Sequence, residues 1–162
     1  MSDHPVGEAR QLLASQLSPG AQLFVFSARN WLVAAKSKHC VRGYLAPFYE
    51  RLGAGDALPV MDELMCNLAV AAFRPIQVHC PCRVDLSEDE SLLLDTLRAV
   101  QRSDHERANQ LAQEFLSGAM ATTFIRVADA YVEQLRESNL SVTGMRYLCA
   151  VDTATQAQHI TH

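Results

Sequence analysis

Leu64-Met65-Cys66-Asn67-Leu68-Ala69-Val70-Ala71-Ala72-Phe73 carries one polar side chain in ten consecutive residues. Pro59, Asp62 and Glu63 precede it and suit the opening turns of a helix, where acidic groups meet the positive end of the dipole. Arg74-Pro75 closes it, because the residue before a proline is pushed towards extended geometry. The spacing predicts a helix over about 58–73, and a helix apolar on every face belongs inside protein. Leu64, Met65, Leu68 and Phe73 are its expected core residues. Asn67 is then a buried amide that needs hydrogen-bond partners.

Working outward, strand-type alternation is nearly absent and helical periodicity recurs. Residues 5–17 space Val6, Ala9, Leu12, Leu13 and Leu17 along one helical face. Ser18-Pro19 reads as N-cap and first helical residue of a helix over about 20–38, with Lys36 and Lys38 at its negative end. An aromatic piece over 41–52 contains Pro47, which marks either a helix start or a kink. Gly53-Ala54-Gly55-Asp56 breaks the chain ahead of the apolar helix. Ser87 and Glu90 have capping-box spacing for a helix over 88–102, and Ser103 and Glu106 repeat it for a helix over 104–116. A last helix covers about 120–137. The expected architecture is all-α, a single-domain bundle of about six to eight helices around the 58–73 helix. The domain covers 1–152, with Met145, Tyr147, Leu148 and Val151 as an apolar knot and 153–162 as a frayed tail.

The chain of 162 residues is 49% hydrophobic and 20% charged, which excludes a disordered class. Its net charge of −4 argues against nucleic acid as a main partner. The charge is uneven: residues 57–118 carry five Lys/Arg against ten Asp/Glu, while residues 1–56 carry six against four. The opening MSDHPVGEAR lacks the order of a signal peptide, and no apolar run is long enough for a membrane span. Five cysteines without a signal point to reduced thiols in the cytoplasm.

Three blocks, FVFSARNWLVAA (24–35), AAFRPIQVHCPC (71–82) and LSEDESLLLDTL (86–97) followed by Gln101, together resemble a set of small, uncharacterised helical bacterial proteins. The resemblance spans roughly residues 22–142. It implies a bacterial, cytoplasmic, helical protein and assigns no activity or site.

Two stretches carry candidate chemistry. His79-Cys80-Pro81-Cys82 puts three possible ligands into four residues, and Cys40 or His39, from the other His-Cys pair, would complete a zinc set. The cysteine spacing is tighter than that of zinc knuckles. If 76–82 is extended, Cys80 and Cys82 share an apolar side with Ile76 and Val78, while His79 faces away. The expectation is therefore packing, with no cofactor; zinc binding through Cys40, His79, Cys80 and Cys82, or thiol redox chemistry, is the alternative. The second stretch is residues 24–51, where aromatic side chains sit among Arg29, Lys36, Lys38, Arg42 and Arg51. Trp31, Lys36, Lys38, Arg42, Tyr44 and Tyr49 form the expected surface for a protein partner or a small hydrophobic ligand. No phosphate loop, zinc-protease motif or nucleophile elbow is spelled. The functional expectation is a non-enzymatic binding or regulatory module, with self-association compatible and an enzyme with a helical pocket as the alternative.

Overall fold

Ser18 opens the first long helix as its neighbours require. Its Oγ accepts the Ala21 N–H, and Pro19 takes the first helical position. The computed structural model describes residues 13–144. Within them lie α1 (Pro19–Ser37), α2 (Val41–Arg51), α3 (Ala57–Ala71), α4 (Glu88–Gln101), α5 (His105–Ala112) and α6 (Gly118–Glu137). A 3-10 turn at Ala14–Gln16 precedes them. The described residues contain no strand, only an isolated bridge between Leu13 and Asp85. None of the described helices is long and apolar enough to cross a membrane.

The bundle is organised by α6 and α3 together. α6 packs on α3, α4 and α5, and α3 packs also on α1 and α2. Phe124, Tyr131 and Leu135 of α6 meet a core that includes Phe24, Met61, Leu64, Leu94, Leu97 and Phe115. One polar chain runs through it. Ser27 Oγ donates to Leu23 O at 2.6 Å, so Tyr49, 2.8 Å away, must donate to Ser27, and Tyr131, 3.1 Å further on, to Tyr49. Burial pushes the Tyr49 hydroxyl up to about 12 and that of Tyr131 well above its usual value, so both keep their protons.

The segment after α6 returns to the start of α1. Ser141 O accepts from Ser18 Oγ at 2.6 Å and from Gly20 N at 3.1 Å. A Cβ on residue 20 would stand 2.5 Å from Ser141 O, so this close approach requires glycine. Gln101 and Arg98 of α4 hold the same segment through the Val142 N–H and carbonyl.

Several expectations are corrected. α3 ends at Ala71, two residues early, because Ala72 is already extended ahead of Arg74-Pro75. Leu64, Met65 and Leu68 are buried as expected, but Phe73 is 62% exposed and Val70 87%. α3 therefore buries one side and leaves an apolar face open, and Asn67 is only half-buried. Asp104, not Ser103, caps α5; Ser103 adopts φ 60 in the left-handed region, and Asp104 Oδ1 accepts the Arg107 N–H. α5 stops at Ala112, short of 116. Pro47 lies inside α2. Of the helix expected over 5–17, residues 14–16 form only the 3-10 turn and 5–12 lie outside the described residues. The apolar knot from Met145 and the 153–162 tail also lie outside them.

Because only one side of α3 is covered, truncations along it should differ sharply. Leu68→Ala should cost about 2–5 kcal/mol in urea denaturation, whereas Val70→Ala should stay within about 0.5 kcal/mol. Equal costs would contradict the open face.

Candidate functional site

Arg29 is the one charged residue between Pro19 and Ala35. In helical phase it points from α1 towards the N-terminus of α4, where the capping box presents Glu90. The two meet inside the protein, with side chains 4% and 2% exposed. Nε and Nη2 of Arg29 donate to the two Glu90 carboxylate oxygens at 2.7 and 3.0 Å, a bidentate pairing. The remaining donors go to the intervening chain: Nη1 to Arg83 O at 2.6 Å and Nη2 to Asp85 O at 2.8 Å. Glu90 in turn accepts the N–H groups of His79 at 3.0 Å and Ser87 at 2.9 Å. Burial raises the Glu90 carboxyl's pKa, but hydrogen bonds from Arg29, Ser87 and His79, with the Arg29 charge, outweigh it and hold the carboxyl below its ordinary range.

This pair clamps the strap between α3 and α4 on both sides of Cys80-Pro81-Cys82. Further bonds hold the strap along its length. Arg74 forks onto Asp89 at 2.8 and 3.1 Å, Asp89 accepts Gln77 N at 2.7 Å, and Ser87 Oγ donates to Gln77 O at 2.5 Å. Ala14 N reaches Val84 O at 2.9 Å from the opposite side. Arg83 pairs with Asp85, whose carboxyl falls to about 2 chiefly through the hydrogen bonds from Arg83.

The clamped residues turn instead of extending, with Arg83 N donating to Cys80 O at 3.1 Å. That turn overrules the expected alternation. Cys80 and Cys82 do not share a buried apolar side; both are exposed, with their sulfur atoms 2.8 Å apart. The Cys80 thiol is lowered, first by its hydrogen bond with Cys82 and then by N–H groups of Cys82 and Arg83 and the Arg83 charge; Cys82 is raised by the same contact. His79 Nε2 faces Asp85 at 3.5 Å. The structure does not assemble the four zinc candidates: Cys40 lies at the start of α2 with no cap bond from its side chain, and no three potential ligands gather among the described residues.

The expected aromatic and basic surface is also divided. Tyr49 is buried in the hydroxyl chain, and Arg29 in the ion pair. Trp31 is buried, donating its indole N–H to Asp62 at 2.8 Å, while Arg42 reaches the other Asp62 oxygen at 2.9 Å. Tyr44 is exposed and packs against Phe48. Lys36 and Lys38 are exposed and pair with no carboxylate among the described residues.

What the sequence reading missed is the groove beside them. Trp31 and Leu32 of α1, Met65 and Leu68 of α3, and Ile76 and Val78 of the strap line a cavity of about 450 Å³. Its lip continues into the open side of α3, where Cys66, Ala69 and Val70 follow one another at helical spacing, and the exposed Phe73 comes just past the helix end. The signal is present in the ten-residue apolar run, whose composition predicts burial on every face and does not show which side stays open.

No protein-family model, curated protein or solved structure matches this chain.

Removing one partner of the buried pair strands the other, so Arg29→Met should cost about 3–5 kcal/mol in urea denaturation. The depressed Glu90 carboxyl contributes stability that is fully present above its unfolded value of about 4.3 and is lost as pH falls through its lower folded value. The wild type should therefore lose more stability than Glu90→Gln between neutral pH and about pH 3. Parallel pH curves for the two proteins would contradict the ion pair's role.

Proposed function

We propose that this chain is a non-enzymatic, cytoplasmic binding module that takes the apolar face of a partner protein's helix, one with acidic side chains beside that face. The observation that carries this reading is the exposed stripe Cys66, Ala69, Val70 and Phe73 running into the groove floored by Trp31 and Leu68. Contiguous apolar surface of this kind is costly in water and marks binding sites. Its helical part, Cys66 to Val70, covers about one turn, roughly 6 Å, and Phe73 continues it past the helix end, a short apolar face that suits an amphipathic helix laid in a groove.

Charge supports the choice of partner. Lys36 follows Leu32 by one turn on the same face of α1, and Lys38 ends that helix, both without a carboxylate partner among the described residues. They offer complementary charge to an acidic flank and add to encounter rate more than to affinity. Arg42, already paired with Asp62, and Tyr44, on the Phe48 side of α2, are less suited to this contact than the aromatic and basic grouping suggested. The stripe is on the order of a few hundred Å², below the roughly 800 Å² per partner of a standard stable interface, so a second copy is the weaker candidate occupant.

The test uses two synthetic amphipathic helices with leucines at i, i+3, i+4 and i+7, one flanked by glutamates and the other by lysines. The glutamate peptide should bind about tenfold more tightly, near 1.4 kcal/mol, and Phe73→Asp should abolish its binding with helicity unchanged. Lys36→Glu with Lys38→Glu should remove the preference between peptides. Equal binding of both peptides by the wild type, or binding indifferent to Phe73→Asp, would overturn the reading. So would a stable dimer in sedimentation that Phe73→Asp dissociates.

A further inference from the structure

We propose that Cys80 and Cys82 form a dithiol site that exchanges with aliphatic disulfides, Cys80 as the attacking sulfur and Cys82 as the resolving one. Three observations carry this. Both thiols are exposed, and their sulfur atoms already lie 2.8 Å apart on one side of a turn, so joining them needs little movement towards the ~2.05 Å of a disulfide. The turn is held from both ends by one buried ion pair: Glu90 takes the His79 N–H and Arg29 takes the Arg83 carbonyl. A cleft of about 220 Å³ lined by Phe26, Asn30, Pro81 and Arg83 opens beside it, leaving room for an aliphatic disulfide next to the turn.

The two sulfurs differ in the way exchange requires. The contact with the Cys82 thiol favours a thiolate on Cys80, lowering its pKa and raising that of Cys82, and the nearby Arg83 charge acts in the same direction on Cys80. The Cys66 thiol is raised instead, first by partial desolvation and then by the Asp62 charge.

The reaction balances with the disulfide as oxidant. The Cys80 thiolate attacks one sulfur of R–S–S–R, forming a Cys80–S–S–R bond and releasing RS⁻. Cys82 loses its proton to water and attacks the Cys80 sulfur, breaking that mixed disulfide and releasing a second RS⁻. Two thiols of the protein are oxidised to one disulfide, and R–S–S–R is reduced to two thiols once protons are returned. A Cys-x-Cys disulfide closes a small ring, so it is readily reopened by thiols and suits a reversible site more than a structural one. In a reducing compartment such bonds are transient.

The full chain is incubated with oxidised glutathione, quenched by alkylation and mapped by mass spectrometry. The wild type should gain a bond between Cys80 and Cys82 that dithiothreitol reverses. Cys82→Ser should accumulate a glutathione adduct on Cys80, and Cys80→Ser should form its adduct on Cys82 at least tenfold more slowly. Substoichiometric iodoacetamide on the unmutated protein should label Cys80 ahead of Cys40 and Cys66, a check independent of any variant. Absence of the 80–82 bond, equal rates for the two serine variants, or Cys40 labelled first would overturn the proposal.

Discussion

The position of the strap between α3 and α4 depends on one interaction, the buried pair of Arg29 and Glu90. A guanidinium and a carboxylate withdrawn from water carry a large desolvation penalty, which their attraction offsets only when the remaining donors and acceptors are also satisfied. Here they are satisfied by strap backbone: carbonyls of Arg83 and Asp85 for Arg29, and N–H groups of His79 and Ser87 for Glu90. The pair thus adds less to net stability than to uniqueness. An alternative path for residues 79–87 would leave a buried charge short of partners, and that penalty selects a single path. The capping box of α4 is part of the same arrangement, since Glu90 both completes the cap and receives Arg29.

Both proposed activities hang on that path. Val78 and Ile76 wall the groove on one side of His79, and the dithiol turn follows on the other. The clamp therefore supplies two things at once: a rigid wall for an apolar site, and a short turn that keeps two thiols together and in solvent. Preorganisation of this kind lowers the ordering cost of binding or reaction without adding contacts.

The helices were largely legible because their boundaries are written in local chemistry. Ser18-Pro19, the Ser87–Glu90 box and Arg74-Pro75 each act on backbone groups within a turn, so neighbours in sequence suffice to read them. Ser103 misled because Asp104 competes for the same capping position one residue later. The site was less legible for two reasons. Apolar composition shows that α3 resists water, but not which side its neighbours leave uncovered, and Val70 and Phe73 fall on that side. The alternation in Ile76–Cys82 assumed an extended strap, whereas bonds from residues eleven and 54 positions away turn it at Cys80. Arg29 carried a readable hint, a lone charge among apolar residues, whose partner becomes visible only once α1 and α4 are side by side.

The most direct test of the clamp is native-state hydrogen exchange at the His79 amide. That N–H lies in an otherwise accessible strap, and its bond to the Glu90 carboxylate is the contact that shields it. In the wild type it should exchange slowly, through openings nearly as costly as global unfolding, and in Arg29→Met its protection should fall far more than that of core amides in α6. Rapid exchange of His79 in the wild type, or protection that survives loss of Arg29 unchanged, would contradict a strap held by the ion pair.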